Sequence, residues 1–105
     1  MPNDKSVQIS ANGNQLAVNN SSVSISKSNA DQVKWTSSVP NVTVTVSFDK
    51  GQGSPFNNSS FSVDTTGTTP SGPVKSGANA GGASYGYSLS APGFTKLDPT
   101  VIVDN

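Results

Sequence analysis

Val42-Thr-Val-Thr-Val-Ser-Phe48 (VTVTVSF) places Val42, Val44, Val46 and Phe48 on one side of the chain and Thr43, Thr45 and Ser47 on the other. A side-chain period of two is the mark of an extended strand with one buried face, because successive residues point to opposite sides of the pleat. The same alternation recurs in Ser22-Val-Ser-Ile-Ser26, in Val33-Lys-Trp35 and in Tyr85-Gly-Tyr-Ser-Leu89. Apolar runs at Val7 to Ile9, Leu16 to Val18 and Val101 to Val103 bring the expected count to about seven strands, the number of a β-sandwich. Asn12-Gly13-Asn14 reads as a turn between the first two runs. No window carries the i, i+3, i+4 spacing of an amphipathic helix. Between Gly51 and Gly82 the apolar anchors thin to Phe56, Phe61, Val63 and Val74. That stretch reads as a long crossover holding one or two short strands.

The chain of 105 residues fits a single domain, 1–105, with one modest core. Only 31% of its residues are hydrophobic, which invites a reading of disorder; only 11% are charged, and the apolar residues alternate, which opposes it. An all-β fold coated in Ser and Thr accounts for both numbers. Six Lys balance six Asp, with no Arg, Glu or His. Nucleic acid is excluded as a partner, because that affinity comes from clustered cations on phosphates. Without cysteine there is neither a disulfide framework nor thiol chemistry. The opening Met-Pro-Asn-Asp-Lys has no apolar signal core, and no run approaches a membrane span of ~18 residues, so no membrane insertion is expected. The expected location is cytoplasmic if Met1 is the native start and secreted or periplasmic otherwise.

Two stretches together resemble the cupredoxins, the small blue copper proteins. Val33-Lys-Trp35 is followed by Val39-Pro-Asn-Val42 and a Val/Thr strand ending at Phe48. Tyr85-x-Tyr87-x-Leu89 is followed by a loop with Pro92 and then Val101-Ile-Val103. In that family a Trp-containing strand precedes a ligand His, and a final hairpin of an aromatic-x-aromatic strand carries Cys, His and Met. The resemblance covers about Val7 to Val103 and implies a Greek-key β-sandwich. Carried over residue by residue, it places the vestigial ligand positions on Asn41, Leu89, Pro92 and Leu97. None of these four is an imidazole, a thiolate or a thioether, and the chain has no His or Cys. Copper of that type needs such donors to set its geometry and potential, so no cofactor is expected. Leucine at two ligand positions implies that the former metal site is filled with apolar packing.

The residue inventory opposes catalysis. A Ser-His-Asp triad needs His, and an unactivated serine is a poor nucleophile. Paired carboxylates would have to come from Asp4, Asp31, Asp49, Asp64, Asp98 and Asp104, whose places beside turns suit capping better. Asp98 is expected to bond local backbone N–H groups in the turn into the last strand, with Pro99 fixing φ. Calcium would find oxygen donors in Asp49 and the loop through Asn57 and Asn58, although no EF-hand pattern is present. Gly51-Gln-Gly53 lacks the ending of a phosphate loop and reads as a turn. The tripeptides at Asn20, Asn41 and Asn58 fit the glycosylation acceptor pattern. Trp35, Tyr85 and Tyr87 are expected in the core. Phe56 and Phe94 lie in Pro-containing loops where an exposed ring would make an interaction patch near the former metal pole, local loop packing being the ordinary alternative.

These readings converge on a non-catalytic binding or assembly module, not an enzyme, whose partner is a protein or a second copy. The alternative is a carbohydrate- or calcium-binding β-sandwich.

Overall fold

A computed structural model describes residues 4–105, and every described element is a strand. There are ten: β1 (Asp4–Asn12), β2 (Gln15–Val18), β3 (Ser22–Ser26), β4 (Gln32–Ser37), β5 (Val44–Ser47), β6 (Ser60–Val63), β7 (Thr69–Pro70), β8 (Ala83–Gly86), β9 (Ser88–Ser90) and β10 (Thr100–Asp104). They form sheets in the orders β2-β1-β4-β7, β3-β10-β8 and β6-β5-β9. The all-β expectation holds, and the count of about seven is corrected to ten.

Part of that difference has a definite cause in Pro99. Tyr85 to Leu89 is one extended run of chain, yet it counts as β8 and β9 because the ladder to the last strand is broken at Tyr87. The Tyr87 N–H donates to the Pro99 carbonyl (3.0 Å), and Pro99 has no N–H to return the bond. On either side the pairing resumes, with Val101 opposite Tyr85 and a reciprocal Leu89–Leu97 pair of 2.8 and 3.0 Å. The two three-stranded sheets are therefore the halves of one layer joined through Tyr87. The β2-β1-β4-β7 sheet supplies the other layer.

The inward faces follow the sequence alternation. Val7 and Ile9 on β1, Val33 and Trp35 on β4, Val44 and Val46 on β5, and Val101 and Val103 on β10 are all fully buried. Val42 and Phe48 fall just outside β5 because that strand is paired only over Thr45–Ser47 to β9 and Val44–Ser47 to β6. Two pairings are parallel, β1 with β4 and β3 with β10, and the rest antiparallel. Asn12 and Gln15 close the β1–β2 hairpin around Gly13 and Asn14. Gly13 has φ 66°, the positive φ that a type II′ turn requires at its first central residue.

Five of the seven aromatic residues form one buried group. Trp35 contacts Phe48, Phe56, Phe61 and Tyr87 with ring centroids 5.1 to 6.4 Å apart, in tilted and edge-on geometries. Such arrangements set ring edges against ring faces. The Trp35 indole N–H donates to the Tyr87 hydroxyl over 3.4 Å, a long and therefore weak bond. Trp35 and the tyrosines thus lie in the core as expected. Phe56 does too, at 1% exposure, and an exposed role for it is corrected. Its loop turns the ring inward because Ser54 Oγ accepts from the Phe56 N–H (3.1 Å) and donates to the Asn58 carbonyl (2.8 Å).

Candidate functional site

β1 and β4 run parallel and finish at the end of the sandwich where β9 finishes and β5 begins. Four connections therefore meet at one pole: the 13–14 turn, the 38–43 loop, the 64–68 loop and the 91–99 loop. The Thr95 N–H donates to the Asn14 carbonyl (2.8 Å), tying the last of these to the first. Asn41, Val42 and Thr43 line a shallow cleft with Asp64, Thr65 and Thr66, which joins the other two.

All four positions singled out by the resemblance belong to this end. Leu89 is fully buried. Leu97, bonded to it through both backbone groups, is half-buried and packs against the core. Asn41 is exposed with φ 66°, a left-handed conformation that Asn tolerates better than most side chains. Pro92 is exposed at the loop tip. Leu89 and Leu97 are therefore direct neighbours, while Asn41 and Pro92 face solvent on the loops above them. Asn20 and Asn58 are exposed as well.

A polar clasp holds the base of the 91–99 loop. Ser88, on the outer side of β9, is only 2% exposed, because Asp49 and Asp98 close over it with Oδ1 atoms 3.0 and 3.2 Å from its hydroxyl. One hydroxyl proton serves one of these acceptors at a time. Lys50 Nζ donates to Asp98 (3.0 Å), and Lys96 Nζ lies 3.8 Å from Asp49. The Lys50 hydrogen bond, reinforced by its charge, holds the Asp98 carboxyl below the usual carboxylate range. The Asp98 partners are thus the side chains of Lys50 and Ser88, which corrects the expected bonds to local backbone N–H groups. Asp49 is engaged with Ser88, and Asn57 and Asn58 stand exposed beyond it. Among the described residues no group of three or more Asp side chains is placed to hold a metal ion.

Partly exposed apolar side chains concentrate at this pole. Of the seven that pack against the core from outside, Val18, Val42, Ala91, Phe94 and Leu97 lie on its loops or on the adjoining β2 edge; only Ala80 and Ala83 do not. Leu97 also forms one wall of a cleft of about 320 Å³ with Asn12, Gln15, Leu16, Ala17, Val18 and Ser21. Phe94 is half-buried, its N–H donating to the Ala91 carbonyl (3.1 Å). Phe56 is not part of this patch, since it belongs to the connection between β5 and β6 at the opposite end. Phe94 is the one aromatic residue that is not buried.

Sequence reasoning did not find the clasp, whose hydrogen-bonded pairs are 10 to 48 residues apart. No local pattern announces such a meeting. A third cleft, of about 470 Å³, lies toward the other end of the sandwich and is lined by Lys27, Ser28, Val74, Ser76 and Asn105. No described helix is long and apolar enough to cross a membrane. No protein-family model, no curated protein and no solved structure matches the chain.

Proposed function

We propose that the chain is a non-catalytic binding module, docking a protein surface or a further copy of itself through the 91–99 pole of a cupredoxin-like Greek-key scaffold. The carrying observation is the clustering of Val42, Ala91, Phe94 and Leu97 at one end, half-exposed. Their rim is mostly uncharged, with Asn12, Asn14, Gln15, Asn41 and Thr43 around them. An apolar centre within a polar, weakly charged rim is the anatomy of a protein interface. The scaffold reading is supported by Trp35 on the strand before the Asn41 loop and by the Leu89–Leu97 pair across the final hairpin. On this reading the leucines fill the volume a metal would take, leaving loop surface as the functional feature.

The test is a photo-crosslinking amino acid at Phe94, compared with the same group at Lys34 on the outer face of β4. Products of higher mass from position 94 and none from 34, in the native extract or with the pure protein, are expected. Equal yields from both positions, or none from 94, would refute docking at this pole.

A further inference from the structure

We propose that a slot along the outer edge of β2 takes up a short, uncharged, extended segment of another protein as an added antiparallel strand. This rests on the docking reading above and specifies what the partner presents. The slot is the cleft of about 320 Å³ walled by Leu16, Val18, Ser21 and Leu97, and no charged side chain lines it.

The edge of β2 carries a ladder that stops short. Asn12 faces Gln15 and Ser10 faces Ala17, and the Asn19 N–H donates to the Gln8 carbonyl (3.1 Å), so Gln15, Ala17 and Asn19 turn their backbone groups toward β1. Backbone groups alternate in direction along a strand, and those of Leu16 and Val18 therefore point outward. The 91–99 loop begins to pair with them. The Thr95 N–H donates to the Asn14 carbonyl (2.8 Å), and Thr95 bridges Gln15 in parallel, which engages the Leu16 N–H. The next rung would fall to Leu97, but both its backbone groups are bonded to Leu89 (2.8 and 3.0 Å). The Leu16 carbonyl and both groups of Val18 are left without a partner among the described residues.

Those open groups fit the backbone of an extended segment. In an antiparallel arrangement the residue opposite Val18 exchanges two bonds with it, and the residue two places on donates to the Leu16 carbonyl. Both side chains then fall on the side of Leu16 and Val18, where Val18 and Leu97 are only half-buried. Small apolar side chains would cover that surface, whereas a charged one would lose water and meet no opposite charge. A second copy of this chain has no open strand to offer. On β3 the Ser22 and Ser26 N–H groups are held by Asn20 (3.3 Å) and Asp31 (2.8 Å). Pro70 gives β7 no N–H at its centre, and the Thr69 hydroxyl holds the Ser62 carbonyl of β6 (2.8 Å). β2 itself is hemmed in by the Thr95 bridge at one end and Ser21 at the other.

The experiment is an amide NMR titration of the whole chain with acetyl-Val-Thr-Val-amide. Saturable shifts are expected at residues 16, 17, 18, 21 and 97. N-methylation of both valines removes the donors that face β2 and should abolish the shifts, while N-methylation of the threonine, whose N–H faces away, should leave them. Acetyl-Lys-Thr-Lys-amide should give none. Val18→Pro removes an outward N–H and no bond to β1, a substitution that edge strands accept, and should weaken binding several-fold. The proposal is overturned if the peptide gives no saturable shift, if N-methylated valines bind equally well, or if a folded Val18→Pro binds as the parent does. Concentration-dependent shifts at 16–18 without peptide would also overturn it, since a second copy would then fill the slot. Crosslinking from position 94 uses no peptide, so failure there refutes docking at the pole and failure here refutes the slot.

Discussion

The half of the sandwich around Trp35 and the half beneath the 91–99 loop are closed in different ways. Around Trp35 the space is filled by rings, with Phe48 touching Phe56, Phe61 and Tyr87, Phe56 touching Phe61, and the 48–59 loop anchored by Phe56. Beneath the 91–99 loop it is filled by aliphatic groups, Leu16, Val39, Val44 and Leu89, with Leu97 and Phe94 only half covered. A ring cluster buries large areas and leaves little for a partner to cover. An aliphatic floor under polar loops excludes water from the core and still presents apolar surface outward. The difference teaches where a chain of low hydrophobic content concentrates its stability and where it leaves apolar surface partly exposed.

That contrast can be broken by substitution. Phe48→Ala should give the largest loss, about 3–5 kcal/mol, since a buried ring leaves a cavity that its neighbours cannot fill. Denaturant unfolding followed by Trp35 fluorescence would measure it. Leu89→Ala should cost about 2–4 kcal/mol in the same assay, while Leu97→Ala, being half-exposed, should cost about 1 kcal/mol. If Leu97→Ala cost as much as Leu89→Ala, the pole would be closed as tightly as the ring cluster. Ser88→Ala should then cost about 1 kcal/mol through the lost hydroxyl bonds to the clasp. Amide exchange in residues 91–98 should quicken while exchange around Trp35 stays as it was.

The smallest effects are titrations, and the two regions should respond at opposite ends of the pH scale. Burial raises the Tyr87 hydroxyl above its ordinary value near 10. A raised folded pKa means the native state keeps its proton longer, so this stabilisation is intact below pH ~10 and is lost as pH climbs through the folded value. Tyr87→Phe should remove that alkaline limb from a plot of stability against pH. Hydrogen bonding lowers the carboxyls of Asp4 through Lys34, Asp64 through Thr66 and Asp98 through Lys50. Their contributions are present above pH ~3.8 and are lost as pH falls through the lower folded values. All three are exposed, so screening by solvent and salt keeps each effect slight. Asp98→Asn should remove its own share of the acid limb, leaving those of Asp4 and Asp64, without moving the alkaline one.

Much of the architecture was legible because it rests on side-chain alternation. VTVTVSF marks the inward residues of β5, and Val33 and Trp35 mark those of β4. The extra strands were not legible, because alternation in Tyr85 to Leu89 cannot reveal that a proline across the ladder withholds one hydrogen bond. Nor could the Ser-Pro-Phe context show that Ser54 would turn Phe56 inward. The clasp and the Lys27 cleft were invisible for a related reason. Each is assembled from residues far apart in the chain, and lysines or serines taken singly read as solvated surface. Leu89 and Leu97, which only the resemblance to the cupredoxins singled out, are bonded neighbours across β9 and the closing loop.

The central claim is that the pole is closed by carbon side chains and works as a contact surface. It is met most directly by native mass spectrometry of the purified protein before and after exposure to Cu²⁺, Zn²⁺ and Ca²⁺ with buffer exchange. The account predicts an unchanged mass for each charge-state series in all three cases. A stoichiometric adduct surviving exchange, and lost on Leu97→Lys, would contradict it, because the metal would then sit where Leu89 and Leu97 are said to leave no room.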